Sequence, residues 1–263
     1  LLLALDTLIV YLRPSKLPRY LHTKRSQPAW ALVTGASDGI GKAFAHSLAE
    51  AGFNVVIHGR SPSKLAVVFA ELESTYPLRS FRFLTADATK CHPDAFEGIV
   101  QFLSDIHLTV LINNAGSVSR RPLITDYRPL DSYTHAELVE SVTLNALFPT
   151  LLTRALAPAL AVNGPALIFF VGSLADIGLP LVAPYGSSKS FLGTLADSMA
   201  LEMRMTGRDI EVLHVRVGPM TGVATIWRPP SWLRPHATTL AQTVLDRVGC
   251  GRAVVVPYLP HAL

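Results

Sequence analysis

From residue 29 onward, short apolar runs rich in β-branched residues alternate with longer stretches in which apolar residues recur every three or four positions. The first pattern suits a strand buried on both faces, the second an amphipathic helix. WALVT at 30–34 predicts a first strand, GKAFAHSLAEAG at 41–52 a helix stopped by Gly52, and NVVIHGR at 54–60 a second strand. The series continues with a helix at 63–75, a strand at 79–87, a helix at 93–106 and a strand at 108–114. A loop at 120–133 rich in Arg, Pro and Tyr leads into a long helix over 136–160 and then ALIFFVGS at 166–173, the most apolar strand and so the one expected at the sheet's centre. A helix through 190–205, a strand at 209–217, a helix at 238–248 and a strand at 252–259 complete the pattern. Such alternation predicts the α/β class, a doubly wound parallel sheet of about seven strands with helices on both faces. The 263 residues, 49% hydrophobic and 16% charged, suffice for one substantial core, so residues 29–263 are expected to form a single domain.

Residues 1–28 stand apart from this pattern. LLLALDTLIVYL is apolar except for Asp6, and as a helix it would span about 18 Å against a hydrocarbon core of roughly 30 Å, too short to cross a bilayer alone. It reads as the remainder of a membrane anchor, because Arg13, Lys16, Arg19, Lys24 and Arg25 follow it as a cytosolic basic flank would. The alternative is an arm that lies on the domain or pairs with another chain. A secretory signal fits less well, since the basic residues come after the apolar run. The net charge of +4 leans weakly toward phosphate or an acidic membrane surface, and no block of like charge indicates a nucleic-acid partner. Cys91 and Cys250 have neither metal spacing nor a disulfide framework, which suits a reducing compartment and buried filler roles.

The chemistry begins between the first strand and the first helix, where TGASDGIGKA carries Gly35, Gly39 and Gly41. Glycines there permit a tight turn and close backbone approach, and the positive end of the helix faces a pyrophosphate, as in a Rossmann-type domain. The spacing G-x-x-x-G-x-G also brings Ser37 and Ile40 into the candidate cofactor set. At the end of the second strand, where an NAD enzyme places a carboxylate for the ribose hydroxyls, this chain has Gly59, Arg60, Ser61 and Lys64. A guanidinium and an ammonium in that place favour a 2′-phosphate, hence NADP(H). Asp87 after the third strand is expected near the adenine, and Asn114, Ala115 and Gly116 after the fourth are expected along the cofactor.

With these residues come Asn145 in TLNALFP, Ser173 in FVGS, and YGSSK from Tyr185 to Lys189. Over nearly the whole span from Ala29 to Leu259 the sequence resembles the short-chain dehydrogenase/reductase family. Within it the chain looks most like the membrane-associated branch of 3-oxoacyl-CoA reductases and 17β-hydroxysteroid dehydrogenases. The resemblance implies that Tyr185 exchanges a proton with the substrate oxygen, that Lys189 holds the nicotinamide ribose and lowers the phenol's pKa, and that Ser173 hydrogen-bonds the carbonyl oxygen. It implies too that Asn145 holds a water continuing the proton path. The chemistry agrees: a free phenol has a pKa near 10, and a lysine one helical turn along stands on the same face to tune it.

After the sixth strand the family commonly has Pro-Gly and then a threonine for the nicotinamide carboxamide, whereas this chain inverts the pair as Gly218–Pro219. Thr221, with Val217 beside it, is the preferred carboxamide contact, and Thr225 is the alternative. Farther on, Trp227 and Trp232 read either as an apolar lid over a bulky substrate or as aromatics packed on the domain or a membrane. Arg228 and Arg234 would meet a phosphate or carboxylate. The expectation is an NADPH-dependent reductase of a bulky apolar ketone, first a 3-oxoacyl-CoA of fatty-acid elongation, with a steroid or polyketide-derived ketone as the alternative and a non-catalytic NADPH-binding scaffold behind both. The resemblance further implies a cytosolic catalytic domain at the endoplasmic reticulum membrane, or a cytoplasmic one if the arm is no anchor. It is compatible with a homodimer through the long helices. No metal is expected.

Overall fold

The computed structural model describes residues 9–118, 127–223 and 228–262. Seven parallel strands form one sheet: β1 (Ala29–Thr34), β2 (Asn54–Gly59), β3 (Phe81–Thr85), β4 (His107–Asn113), β5 (Ala166–Ser173), β6 (Ile210–Val217) and β7 (Val254–Val255). Their order is β3-β2-β1-β4-β5-β6-β7. The chain reverses its direction of travel between β1 and β4, which opens a crevice beyond the carboxyl ends of those strands, the usual ligand position in such sheets.

β1, β2 and β4 are buried along their whole length because helices cover both faces. One face of β1, carrying Ala31 and Val33, packs with α1 (Gly39–Glu50) and the late helix Ala237–Leu245; the other, carrying Trp30 and Leu32, packs under the helices that follow β3 and β4. β5 is buried up to Ser173, its last residue, as expected for the most apolar segment. β3 lies at an edge and alternates between covered and exposed positions.

Two elements depart from the expected pattern. The final strand is only two residues long, because Pro257 has no N–H to extend the ladder and the chain turns into a short helix at Leu259–Ala262. The long helix runs from His135 to Val162 but widens at Thr143–Leu147 into a π-helical turn. Pro149 has no N–H to give the carbonyl of Asn145 four residues earlier, which explains why the regular ladder fails at this point.

The described part of the arm, residues 9–28, is packed on the domain. Tyr20 is fully buried and its hydroxyl donates to Glu211 Oε2 at 2.5 Å, while its carbonyl accepts from the Thr109 hydroxyl at 2.8 Å. Arg19 pairs with Asp209 and the Lys16 N–H donates to the Val248 carbonyl, so this stretch crosses the amino ends of the central strands. The beginning of the apolar run, residues 1–8, lies outside the described residues, as do 119–126 of the predicted loop.

Candidate active site

The glycine turn is built from close approaches that only glycine permits. Gly35 and Gly39 adopt φ of +65° and +57°. A Cβ on Gly41 would stand 2.2 Å from the Gly35 carbonyl oxygen and 2.5 Å from Asn114 Nδ2. Asp38 caps α1 by accepting the Gly39 N–H at 2.8 Å, and Ile40 buries its side chain in the first turn. Thr34, missed by the sequence reading, ties the ends of β1 and β4 together: its hydroxyl donates to the Ile112 carbonyl and accepts the N–H groups of Asn114 at 2.9 Å and Ala115 at 3.0 Å. Asn114 turns its amide onto the same turn, donating to the Thr34 carbonyl at 2.8 Å and the Gly35 carbonyl at 3.3 Å. The predicted cofactor residue therefore acts here as a strut. What remains is a cradle of bare backbone at a helix N-terminus, which fits a dinucleotide pyrophosphate.

At the end of β2, Ser37 Oγ lies 3.5 Å from where a Gly59 Cβ would be, and Arg60 and Lys64 are both exposed. Ser61 caps α2 (Pro62–Thr75) by accepting the Lys64 N–H, which sets the lysine one turn into the helix beside Arg60. Asp87, just after β3, accepts from both the N–H and the hydroxyl of Thr89, which fixes its half-buried carboxylate at the rim.

The four predicted catalytic side chains come from three elements. Ser173 ends β5 in register with Val217 of β6, and its hydroxyl accepts the Ala175 N–H at 3.1 Å. Tyr185 and Lys189 lie one turn apart at the start of the long helix Ala183–Met205. Lys189 is buried, its Nζ 5.6 Å from the centre of the Tyr185 ring, and it donates to the Val171 carbonyl at 2.8 Å. Asn145, in the π-helical turn, is fully buried; its Oδ1 accepts the Ser117 N–H, and its Nδ2 donates to the carbonyls of Ser117 and Ser141. Gly116 lies between the two: a Cβ there would be 2.7 Å from Asn145 Oδ1 and 3.0 Å from Lys189 Nζ.

The electrostatics differ from the expectation in one respect. Burial lowers Lys189 to about 8, as it must for an ammonium taken out of water. Burial also raises the Tyr185 phenol; Tyr127 and Asp176 add to this, and hydrogen bonding to Ser173 opposes it. The predicted depression by Lys189 is not present in this arrangement, because the ammonium is turned to the Val171 carbonyl and the cost of burying a phenolate dominates. A phenol held protonated is suited to give a proton.

The loop after β6 closes over the turn: Val223 Cγ1 is 2.6 Å from where a Gly39 Cβ would be. Thr221 is buried, its hydroxyl donating to the Arg228 carbonyl and its backbone exchanging hydrogen bonds with Pro235 and Ala237. Its hydroxyl is thus engaged inside the loop. The inverted Gly218 has a local reason, since a Cβ there would run into the His261 ring at 2.5 Å. Thr225 and Trp227 lie outside the described residues.

Two further features escaped the sequence reading. Arg216 of β6 forms a two-point ion pair with Asp176, at 2.5 and 2.7 Å, bracing the segment after Ser173. His214 is buried behind β5, its Nε2 2.1 Å from where a Gly172 Cβ would lie and its Cε1 3.2 Å from that of Gly193. Gly172 and Gly193 were the only sequence signals that a bulky ring had to fit there. Among the described residues no group of His, Cys, Asp or Glu has the makings of a metal site.

Comparison with known proteins agrees with this geometry. The family model described as short chain dehydrogenase matches residues 29–228. The very-long-chain 3-oxoacyl-CoA reductase of Pyricularia oryzae is 34% identical over 242 residues, which cover 89% of this chain and 70% of that protein. A bulky-bulky ketone specific alcohol dehydrogenase from Comamonas testosteroni superposes with a TM-score of 0.73 at 25% identity, covering 87% of this chain and 85% of that one. A metagenomic short-chain oxidoreductase in complex with NADP gives a TM-score of 0.67 at 27% identity, covering 87% and 96% of the two chains.

Proposed function

The chain belongs to the short-chain dehydrogenase family, and from that premise we propose that it is an NADPH-dependent ketoreductase acting on a long-chain 3-oxoacyl-CoA. The observation that carries the reading is the convergence of Ser173, Tyr185 and Lys189 with the Asn145–Gly116 contact, at the carboxyl ends of β4 and β5, beside a glycine cradle. The names of the relatives and the exposed Arg60 and Lys64, which suit a 2′-phosphate, support the substrate and the cofactor.

NADPH, when bound, supplies the hydride. The protein orients the ketone and manages the proton. Tyr185, kept protonated by burial, donates to the oxygen as negative charge develops there, and the Ser173 hydroxyl stabilises the same charge. Lys189, with its Nζ 5.6 Å from the Tyr185 ring centre, would bind the nicotinamide ribose and, as the phenolate forms, favour it through its charge. Asn145, locked to the loop after β4, would support the water path that returns a proton through Lys189. Asn114, Ala115 and Gly116 would line the cofactor, Asp87 would meet the adenine, and Val217 with Thr221 would border the nicotinamide. The segment 1–28 would place the domain on the cytosolic side of the endoplasmic reticulum membrane.

The test is an NADPH-oxidation screen of 3-oxoacyl-CoAs, steroid ketones and polyketide ketones. The account expects turnover of the 3-oxoacyl-CoAs; turnover confined to the other two classes would overturn the substrate, and tight NADPH binding with no turnover at all would overturn the enzyme.

A further inference from the structure

Asn145 grips the connection that follows β4 at Ser117, and farther along the same connection Arg128 grips the segment that leads to the catalytic tyrosine. The Arg128 N–H donates to the Leu181 carbonyl at 2.8 Å. Leu181 has a φ of +66°, a left-handed conformation that a bulky side chain keeps only where its surroundings hold it. The next residue, Val182, stands at the head of the helix Ala183–Met205, and its carbonyl accepts the Gly186 N–H at 2.9 Å in the turn that presents Tyr185. The direction of the Leu181 peptide therefore sets where that turn begins.

The Arg128 side chain holds its own backbone in place. Its guanidinium lies over the Tyr133 ring, 3.9 Å from the ring centre, donates to the Ser132 carbonyl at 3.1 Å and pairs with Glu137 Oε1 at 2.9 Å. The other oxygen of Glu137 accepts the Thr134 N–H at 2.8 Å, and the Thr134 hydroxyl accepts the Glu137 N–H, which closes the first turn of the helix that leads to Asn145. One arginine thus ties the helix of Asn145 to the entry of the helix of Tyr185 and Lys189. An ion pair in open water would carry little. Here the two side chains are only 21% and 28% exposed, and the planar fork is stacked and engaged by a second acceptor.

We propose that Arg128 is a positioning residue for the reaction: acting through Leu181, it fixes the approach of Tyr185 to the substrate oxygen relative to Asn145. The role rests on the ketoreductase reading. It places the loss on the chemical step, because the main seats for the cofactor, the glycine turn and the end of β2, lie on other elements.

Arg128→Met keeps the apolar stem and the backbone N–H and removes the fork. Its kcat for a 3-oxoacyl-CoA is expected to fall about tenfold to a hundredfold, while the Kd for NADPH stays within about twofold of the parent's. Arg128→Lys, which keeps a charge beside Glu137 without the planar fork, is expected to recover part of that loss, and covers the case in which Arg128→Met misfolds. Arg82→Met removes an arginine of the same kind, over Trp30 and paired with Asp105 at the sheet edge, and is expected to react like the parent. Amide hydrogen exchange without substrate is followed in parallel: Gly186 is expected to exchange at least about tenfold faster in Arg128→Met and unchanged in Arg82→Met. Parental kcat in both Arg128 variants, an equal loss in Arg82→Met, or NADPH affinity that falls in step with kcat would overturn the proposal. A parent that turns over no ketone would count against the ketoreductase reading; faster exchange at Gly186 in Arg128→Met would then still support the clasp, and unchanged exchange would overturn it.

Discussion

Asn145 holds Ser117 by both of its backbone groups, its Oδ1 accepting the N–H at 3.0 Å and its Nδ2 donating to the carbonyl at 2.9 Å. This clamp closes the end of β4 against the π-helical turn and keeps Gly116 in the narrow gap before Lys189. Asn145→Asp keeps the size and the acceptor but sets a carboxylate oxygen against the Ser117 carbonyl. The expected result is a loss of roughly 1–3 kcal/mol in unfolding free energy, together with a fall in kcat larger than any rise in KM for NADPH. Denaturant unfolding and steady-state kinetics check both; unchanged stability would mean that the clamp carries no weight.

Arg60 and Lys64 offer two cations at the end of β2 with no carboxylate between them. Arg60→Asp is expected to weaken NADPH binding by about tenfold to a hundredfold and to improve NADH binding, since the new carboxylate repels a 2′-phosphate and accepts from free ribose hydroxyls. Titration with both cofactors decides it, and an unchanged preference would place the 2′-phosphate elsewhere.

Lys189 is charged and buried, and burial brings its folded value down to about 8 from the ordinary 10.5. The sign follows: below pH 8 the ammonium is present in both states and the folded state bears the cost, which shrinks as pH rises toward 10.5. Lys189→Met is therefore expected to stabilise the protein at pH 7 by on the order of 1–3 kcal/mol while turnover falls at least about a hundredfold. Thermal unfolding of parent and variant at pH 7 measures the first effect, and a destabilised variant would contradict it.

His58, stacked on Phe148 at 5.4 Å, and His214 are both buried, and burial lowers each to about 4 from 6.5. Depressed values mean that both rings are neutral in the fold, so the stability they permit is complete above pH 6.5 and drains as pH falls toward 4. Unfolding free energy is expected to fall steeply across that window, by up to roughly 3 kcal/mol per ring. His58→Phe should flatten part of the slope; an equal slope in that variant would locate the proton uptake elsewhere.

Much of this architecture could be read from the chain because its signals are local. The apolar strands, the glycines of the β1 turn, and the Tyr185–Lys189 spacing are each set by residues that are neighbours in sequence. The features that were not legible depend on distant partners. The widening at Asn145 comes from the combination of Pro149 and the Ser117 contact, and the roles of Thr34 and Asn114 come from strands brought together by the sheet. Thr221 is engaged by Arg228, seven residues away along a loop with no periodic pattern. Tyr185 is raised rather than lowered because burial, which no spacing encodes, outweighs the hydrogen bond to Ser173.

The central claim is that Tyr185 gives the proton in an NADPH-dependent ketone reduction, and single-turnover oxidation of NADPH by a long-chain 3-oxoacyl-CoA tests it most directly. The parent is expected to convert one equivalent of cofactor to one of 3-hydroxyacyl-CoA, whereas Tyr185→Phe binds NADPH with unchanged affinity and reacts about a thousandfold more slowly. A Tyr185→Phe protein that oxidises NADPH at the parent's rate would contradict the account.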